Sequence, residues 1–161
     1  MERNKVDYSG RTVDLLLLKT VFSVPAVNKR VDMDVSGRPM IVTGAEKMAQ
    51  RYIILFLNAI GSTKFRPDHG TELVKSVSDG LVYNMATLET AASGANLEAL
   101  RQMTISDAEN EDTPDDERIV SSEVTDLEFS REKSRVKISV KMTTAAGNSY
   151  VYVVPVDVGV H

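Results

Sequence analysis

The spacing of the apolar residues changes near residue 118, and this change limits the possible folds more than any other feature of the sequence. Before it, apolar residues recur at helical intervals. After it, Val136, Ile138, Val140 and Met142 alternate with polar residues. Alternation is typical of a strand with one face in solvent. The sequence therefore predicts an α+β fold, in which a helical core is followed by a three-stranded antiparallel sheet.

Three helices are predicted before the change. Thr43 and Glu46 have the spacing of a capping box at the start of the first and most apolar helix, and Gly61 is placed to end it. The second helix is predicted over residues 71–92 and the third over residues 95–108, with a break at Ser93-Gly94. The first helix is apolar on most sides, so we expect it to lie at the centre of the fold.

Three strands are predicted after the change, over residues 118–129, 135–142 and 150–156, with a turn at Gly147-Asn148. Upstream, residues 29–42 alternate briefly, and residues 13–18 could form either a strand or a helical turn. Residues 1–39 are therefore interpreted as an N-terminal extension or arm, and residues 40–157 as the folded domain.

Composition and charge argue against several classes of function. The chain has no cysteine, and its two histidines are His69 and His161, so we expect no disulfide, no metal site and no cofactor. It has no basic stripe that could follow a phosphate backbone, so no nucleic-acid partner is expected. Its longest apolar run, residues 52–57, is far shorter than the roughly 20 residues of a membrane span, so we expect a soluble protein made in the cytoplasm.

An acidic segment, residues 107–117, precedes the strands and contains no basic residue. Such a run is typical of a solvated loop, and it could also be a contact for a basic partner.

Candidate catalytic residues are few. Asp68 and Glu72 are four residues apart near a predicted helix start, where carboxylates could act in acid–base chemistry or simply interact favourably with the helix dipole. His69 lies in the turn between them, without an evident nucleophile or orienting partner. No phosphate-binding loop or nucleophile elbow is present. The sequence therefore predicts a protein that is not an enzyme.

One block of residues has a more specific pattern. A glycine precedes the first helix, a Gln-Arg pair and an aromatic residue occupy its centre, and a glycine follows it. An aromatic residue, a proline, a glycine and a leucine then occur at set intervals. These positions are Gly44, Gln50, Arg51, Tyr52, Gly61, Phe65, Pro67, Gly70 and Leu73. Over residues 40–157 the chain resembles the lysozyme-like baseplate wedge proteins of contractile-tailed phages, which also occur in type VI secretion baseplates.

That family carries a Glu-Pro-Arg triplet before its last strands. Here Asp116, Glu117 and Arg118 occupy those places, so Arg118 and the following Ile119 match and Glu117 stands at the proline position. The resemblance implies that this triplet docks on a helical bundle of larger wedge proteins. It also implies that Phe65, Pro67 and Gly70 shape a structural turn.

The resemblance further implies a structural protein of the virion, located in the tail baseplate and present in six copies by the symmetry of the assembly. The larger wedge proteins, the tail tube or hub proteins and the sheath protein would be its partners. The terminal strands would begin the sheath by strand augmentation, through positions Val136, Ile138, Val140, Tyr150 and Tyr152.

Two other functions remain open. One is a lysozyme-like peptidoglycan hydrolase associated with the tail, using Asp68 or Glu72. The phage-lysozyme arrangement of Glu, Asp and Thr is absent after Glu46 and Glu72, where Leu55 and Leu81 occupy the Asp position. The other is a general adaptor outside any tail, which would be a stable monomer without tail partners.

Overall fold

A computed structural model describes residues 14–15, 18–22, 28–33, 41–130 and 135–157, the first three of these ranges by their backbone. The elements follow the order β1 (Asp14–Leu15), β2 (Leu18–Phe22), β3 (Asn28–Met33), β4 (Ile41–Val42), α1 (Gly44–Leu57), α2 (Leu73–Ser78), α3 (Met85–Glu109), β5 (Ile119–Ser130), β6 (Arg135–Thr144) and β7 (Ser149–Asp157). The α+β class and the antiparallel β5–β6–β7 meander after the helices are confirmed.

The main sheet is larger than the three strands predicted. Its order is β2-β3-β7-β6-β5, because β3 pairs in parallel with β7 through Asn28–Arg30 and Val151–Val153. β2 then pairs antiparallel with β3. A second small sheet joins β1 to β4. Two strands of the segment interpreted as an extension therefore complete the sheet of the domain. Of the expected extension, residues 1–13, 16–17, 23–27 and 34–39 lie outside the described residues.

The core lies between this sheet and the three helices. The inward-facing side chains of β6, which are Val136, Ile138, Val140 and Met142, are all buried. They belong to one cluster with Met48, Tyr52 and Phe56 of α1 and with Tyr152 and Val154 of β7. The rings of Tyr52 and Phe56 stack with their centroids 5.8 Å apart. The alternating period seen in the sequence thus corresponds to one buried face of the sheet, as expected.

The ends of α1 differ from those predicted. Thr43 is the N-cap residue, but its side chain makes no capping hydrogen bond, so the Thr43–Glu46 capping box does not form. The first helical N–H group instead bonds to the distant Glu117. The helix ends at Leu57, and Gly61, with a φ of +80°, lies in the following turn rather than at the helix end.

The second and third helices are divided at a different place from the one predicted. Gly80 has a φ of +71° and follows α2, whereas Ser93-Gly94 lies inside α3 without interrupting it. The reason is a stronger start signal at Asn84. Its side chain accepts a hydrogen bond from the Thr87 N–H at 2.8 Å, and the Thr87 hydroxyl bonds back to the Asn84 N–H at 3.1 Å. This capping box begins α3.

The apolar stripe predicted across the second helix is consequently split. Leu73, Val77 and Leu88 are buried, whereas Leu81 and Met85 are exposed. Small residues form much of the buried face of α3, namely Ala92, Ala95 and Ala99, and they let this helix approach α1 and β5. Among the described helices, none is long and apolar enough to cross a bilayer.

Candidate functional site

The acidic segment is tied to the start of α1 by one buried carboxylate. The Gly44 N–H donates to Oε1 of Glu117 at 3.0 Å, and the Lys47 ammonium donates to Oε2 at 2.7 Å. Glu117 is only 1% exposed. A carboxylate is favoured at a helix N-terminus because the unpaired N–H groups and the helix dipole are positive there. Glu117 therefore caps α1 and neutralises a buried lysine at the same time.

The backbone of the acidic segment is ordered by a turn at Pro114. The carbonyl of Pro114 accepts hydrogen bonds from the N–H groups of both Glu117 and Arg118, at 2.9 and 3.0 Å. The segment also holds the β6–β7 turn, since Ala145 N–H donates to the Arg118 carbonyl at 2.9 Å. The residues from the turn to Arg118 thus have set positions between α1 and the terminal strands.

Asp116 lies against the helix start. A Cβ atom added at Gly44 would lie 3.1 Å from Oδ2 of Asp116. The glycine at position 44 therefore leaves room for the triplet segment to approach the helix. Gly44, the first residue of α1, and Asp116 of the triplet are therefore in contact, although they lie about 70 residues apart in the sequence.

Arg118 faces outward from the same segment. Its Nη2 donates to the carbonyl of Thr113 at 3.0 Å, and its Nη1 lies 4.0 Å from the carboxylate of Asp115, which is itself largely exposed. Its Nε is buried and has no hydrogen-bond acceptor among the described residues. The ion pair expected for Arg118 is therefore present only as a long surface contact with Asp115, and one donor remains unused.

A cleft of about 450 Å³ opens beside Arg118. It is lined by Thr104, Asp107, Ala108, Glu111, Arg118 and Ile119. The Asp107 carboxylate in this lining connects three elements. Its Oδ1 accepts a hydrogen bond from Arg51 Nη2 of α1 at 2.8 Å, and its Oδ2 accepts one from the Ile119 N–H of β5 at 3.1 Å. α1, α3 and the start of β5 are joined at this point, so the cleft is shaped by well-anchored elements.

The turn at residues 61–70 is built by backbone contacts and by one glutamine. The Gly61 N–H donates to the Pro67 carbonyl at 2.8 Å. The side-chain amide of Gln102 accepts from the Gly70 N–H at 3.1 Å and donates to the Gly70 carbonyl at 2.9 Å. Gly70 has a φ of +116°, in agreement with the expected turn. Phe65 is 91% exposed, so its ring contributes little to the packing of the turn.

The expected strand contacts need correction. The side chains of Val136, Ile138, Val140 and Tyr152 are fully buried in the core, so they are not a surface for a partner, whereas Tyr150 is half-buried. The backbone edges of β6 and β7 are also occupied, since β6 lies between β5 and β7, and β7 lies between β6 and β3. The reason is that the apolar side chains of these strands belong to the same core cluster as the helices.

The candidate catalytic carboxylates do not line the cleft. Asp68 and Glu72 are both exposed, and the Glu72 carboxylate lies 3.8 Å from the ammonium of Lys75. His69 Nε2 lies 3.4 Å from a nitrogen of Arg66 in the same turn. Within the described ranges, no three His, Asp or Glu side chains are grouped so that they could hold a metal ion.

Three buried polar residues were not expected from the sequence. Lys47 and Asp107 belong to the site, and Gln102 belongs to the turn at residues 61–70. Lys47 and Asp107 were not singled out, although a lysine on an otherwise apolar helix face requires a buried acid to balance its charge. Gln102 was also missed, because a glutamine in a helix carries no signal of a distant backbone partner.

No family model, no curated protein and no solved structure matches the sequence or the fold of this chain.

Proposed function

We propose that this protein is a structural wedge subunit of a contractile-tail baseplate, which joins larger wedge proteins to the tube or hub region and provides a start for the sheath. The sequence resemblance suggests this function. The observation that carries it is the anchored triplet segment, in which buried Glu117 locks the backbone and Arg118 is presented beside a cleft.

The arrangement suits docking of a protein better than catalysis. Both carboxylate oxygens of Glu117 accept hydrogen bonds inside the protein, and the residue is only 1% exposed, so a substrate in solution does not reach it. Arg118, by contrast, lies at the surface with a buried Nε donor that lacks an acceptor in the described chain. A carboxylate of a helical wedge protein entering the cleft would bond to the exposed part of the Arg118 guanidinium group.

The first test is Arg118→Ala. The Asp115 contact is long and exposed, so the substitution should change the free energy of unfolding by about 1 kcal/mol or less. Incorporation into baseplates should fall strongly, because a desolvated charge contact at an interface contributes far more than a surface pair. The measurement is a complementation assay in which tails are purified and their subunits counted.

Arg101→Ala is the matched control. Arg101 is also exposed and also pairs three residues away, with Glu98 at 2.6 Å, but it is not one of the residues that line the cleft. Arg101→Ala should assemble normally. Normal baseplates with Arg118→Ala would contradict the docking assignment. Turnover of peptidoglycan that disappears in Glu72→Gln would contradict the structural function as a whole.

The sheath-starting part of the proposal depends on a strand with an available edge. In the described sheet, β2 and β5 are the outer strands, and β5 is the outer strand of the terminal meander. The proposal therefore assigns the sheath contact to β5 rather than to β6 or β7.

A further inference from the structure

Side chains of α3 bond to the backbone of β5 near the start of the strand. At the start of the strand, the carboxylate of Asp107 accepts the Ile119 N–H, and the side-chain amide of Asn96 donates to the Ser122 carbonyl at 3.2 Å. Over residues 123–129 the described part of the chain places no further strand beside the outer edge of β5. An uncovered edge of this kind can pair with another extended chain.

The solvent face of residues 123–129 is acidic. Glu123, Asp126 and Glu128 are exposed and stand opposite Lys141, Ser139 and Lys137 of β6. The ladder shifts by one residue between Val124 and Asp126, and this bulge keeps Glu123 and Asp126 on the same face although they are three positions apart. The Glu128 carboxylate lies 2.5 Å from the Lys137 ammonium.

The charges discriminate between possible occupants of the edge. A second copy that paired through its own β5 would place acidic residues opposite acidic residues, which is unfavourable for cross-strand neighbours. A strand with basic outward residues would instead be attracted. Its inward residues would meet the half-buried side chains of Leu127 and Phe129, which favour apolar neighbours.

The strand that already pairs with β5 has this pattern. Along β6, exposed Arg135, Lys137 and Lys141 alternate with buried Val136, Ile138 and Val140. The solvent-facing side chains of β5 can contact a strand on either edge of β5. A strand with basic residues on the solvent face and apolar residues on the core face would therefore also suit the free edge.

We infer that residues 123–129 of β5 accept an extended segment of another protein, in which Lys or Arg alternates with apolar residues, as an added strand of the main sheet. The inference rests on the proposed function only for the source of that segment, which would be a sheath or tail protein. Strand addition itself requires the geometry and charge described here.

The test uses the intact protein and a short synthetic peptide of alternating Lys and Val, about seven residues long to match a typical strand. Binding is measured by fluorescence anisotropy, and the site is mapped by amide hydrogen exchange. We expect saturable binding and slower exchange in residues 123–129. A peptide of alternating Glu and Val should not bind. Equal binding of the two peptides, or slower exchange elsewhere in place of β5, would overturn the inference.

Two variants separate strand pairing from simple charge attraction. A Lys-Val peptide with an N-methyl group on every residue keeps every charge but cannot donate a backbone hydrogen bond from either edge, so it should not bind. In the protein, Asp126→Lys with Glu128→Lys should weaken binding about tenfold at low salt. Asp79→Lys with Glu89→Lys makes the same change in net charge at exposed positions outside the sheet and outside the acidic segment, and should leave most of the affinity.

The outcomes distinguish this inference from the proposed function. Full binding of the N-methylated peptide, or an equal loss in both double variants, overturns strand addition whatever the tail assays show. Specific peptide binding together with normal baseplates in Arg118→Ala supports strand addition and contradicts the docking assignment.

Discussion

At the scale of single residues, the stability of the triplet segment depends on Glu117. In Glu117→Ala the buried Lys47 ammonium loses its partner, and the Gly44 N–H loses its acceptor. Leaving one member of a buried ion pair uncompensated costs about 3–5 kcal/mol. We expect a loss of this size in the free energy of unfolding, measured by urea denaturation.

A double variant provides the control for this prediction. Lys47→Met with Glu117→Leu removes both charges and fills similar volume, so it should recover most of the loss, since buried pairs replaced by apolar residues are often tolerated. If Glu117→Ala were as stable as the original protein, the buried pair would not be the anchor of the segment.

Gly70 is the second residue whose identity follows from geometry. A Cβ atom there would lie 2.4 Å from the Asn58 carbonyl oxygen, and the φ of +116° disfavours any L side chain. Gly70→Ala should therefore lower the melting temperature clearly. Gly94→Ala is the matched control, because an added Cβ meets nothing within 4 Å inside α3, and should stabilise the helix by about 0.5–1 kcal/mol. Equal melting temperatures for the two variants would contradict this description of the turn.

At the scale of elements, α1 is the helix on which the core is built. Phe56 is fully buried and stacks on Tyr52, whereas Ile54 of the same helix is exposed. Phe56→Ala should cost about 3–5 kcal/mol, because it removes buried area and leaves a cavity. Ile54→Ala should cost far less. Chemical denaturation of both variants checks the placement of the helix, and similar costs would show that it is wrong.

The helices also show which boundaries a sequence can predict. The existence of α1 and its buried face follow from its own residues, so both could be predicted. Its N-terminal cap could not, because Glu117 comes from a segment about 70 residues away and competes with the local Thr43–Glu46 pair. The division at Gly80 rather than Gly94 depends on the cap at Asn84, which was not recognised.

At the scale of the whole molecule, the alternating period of β6 predicted the buried face of the sheet, but not the neighbours of each strand. β3 covers the edge of β7. This pairing could not be predicted, because a short strand does not indicate which distant strand it pairs with in parallel. The candidate site could also be predicted only in part. The triplet is expected from the family resemblance, whereas the contacts of Lys47 and Asp107 form only when distant elements pack together.

The position of β7 leads to a prediction about the N-terminal strands. β7 lies between β3 and β6, so a chain truncated after Met142 lacks a central strand and would not report on sheath contacts. Removal of residues 1–33 is more informative, because it uncovers the β7 edge beside Val151–Val153. We expect stronger self-association than in the full chain, measured by light scattering after size-exclusion chromatography. An unchanged molar mass would contradict the covering role of β3.

The parallel pairing of β3 with β7 also determines when the protein can finish folding. The two strands are roughly 120 residues apart in the sequence. A ribosome adds about 5–20 residues per second, so β3 emerges on the order of ten seconds before its partner exists. Such a distant contact also pays a large loop-closure entropy and slows folding. The edge of β3 that pairs with β7 therefore has no partner until residues 151–153 have been synthesised.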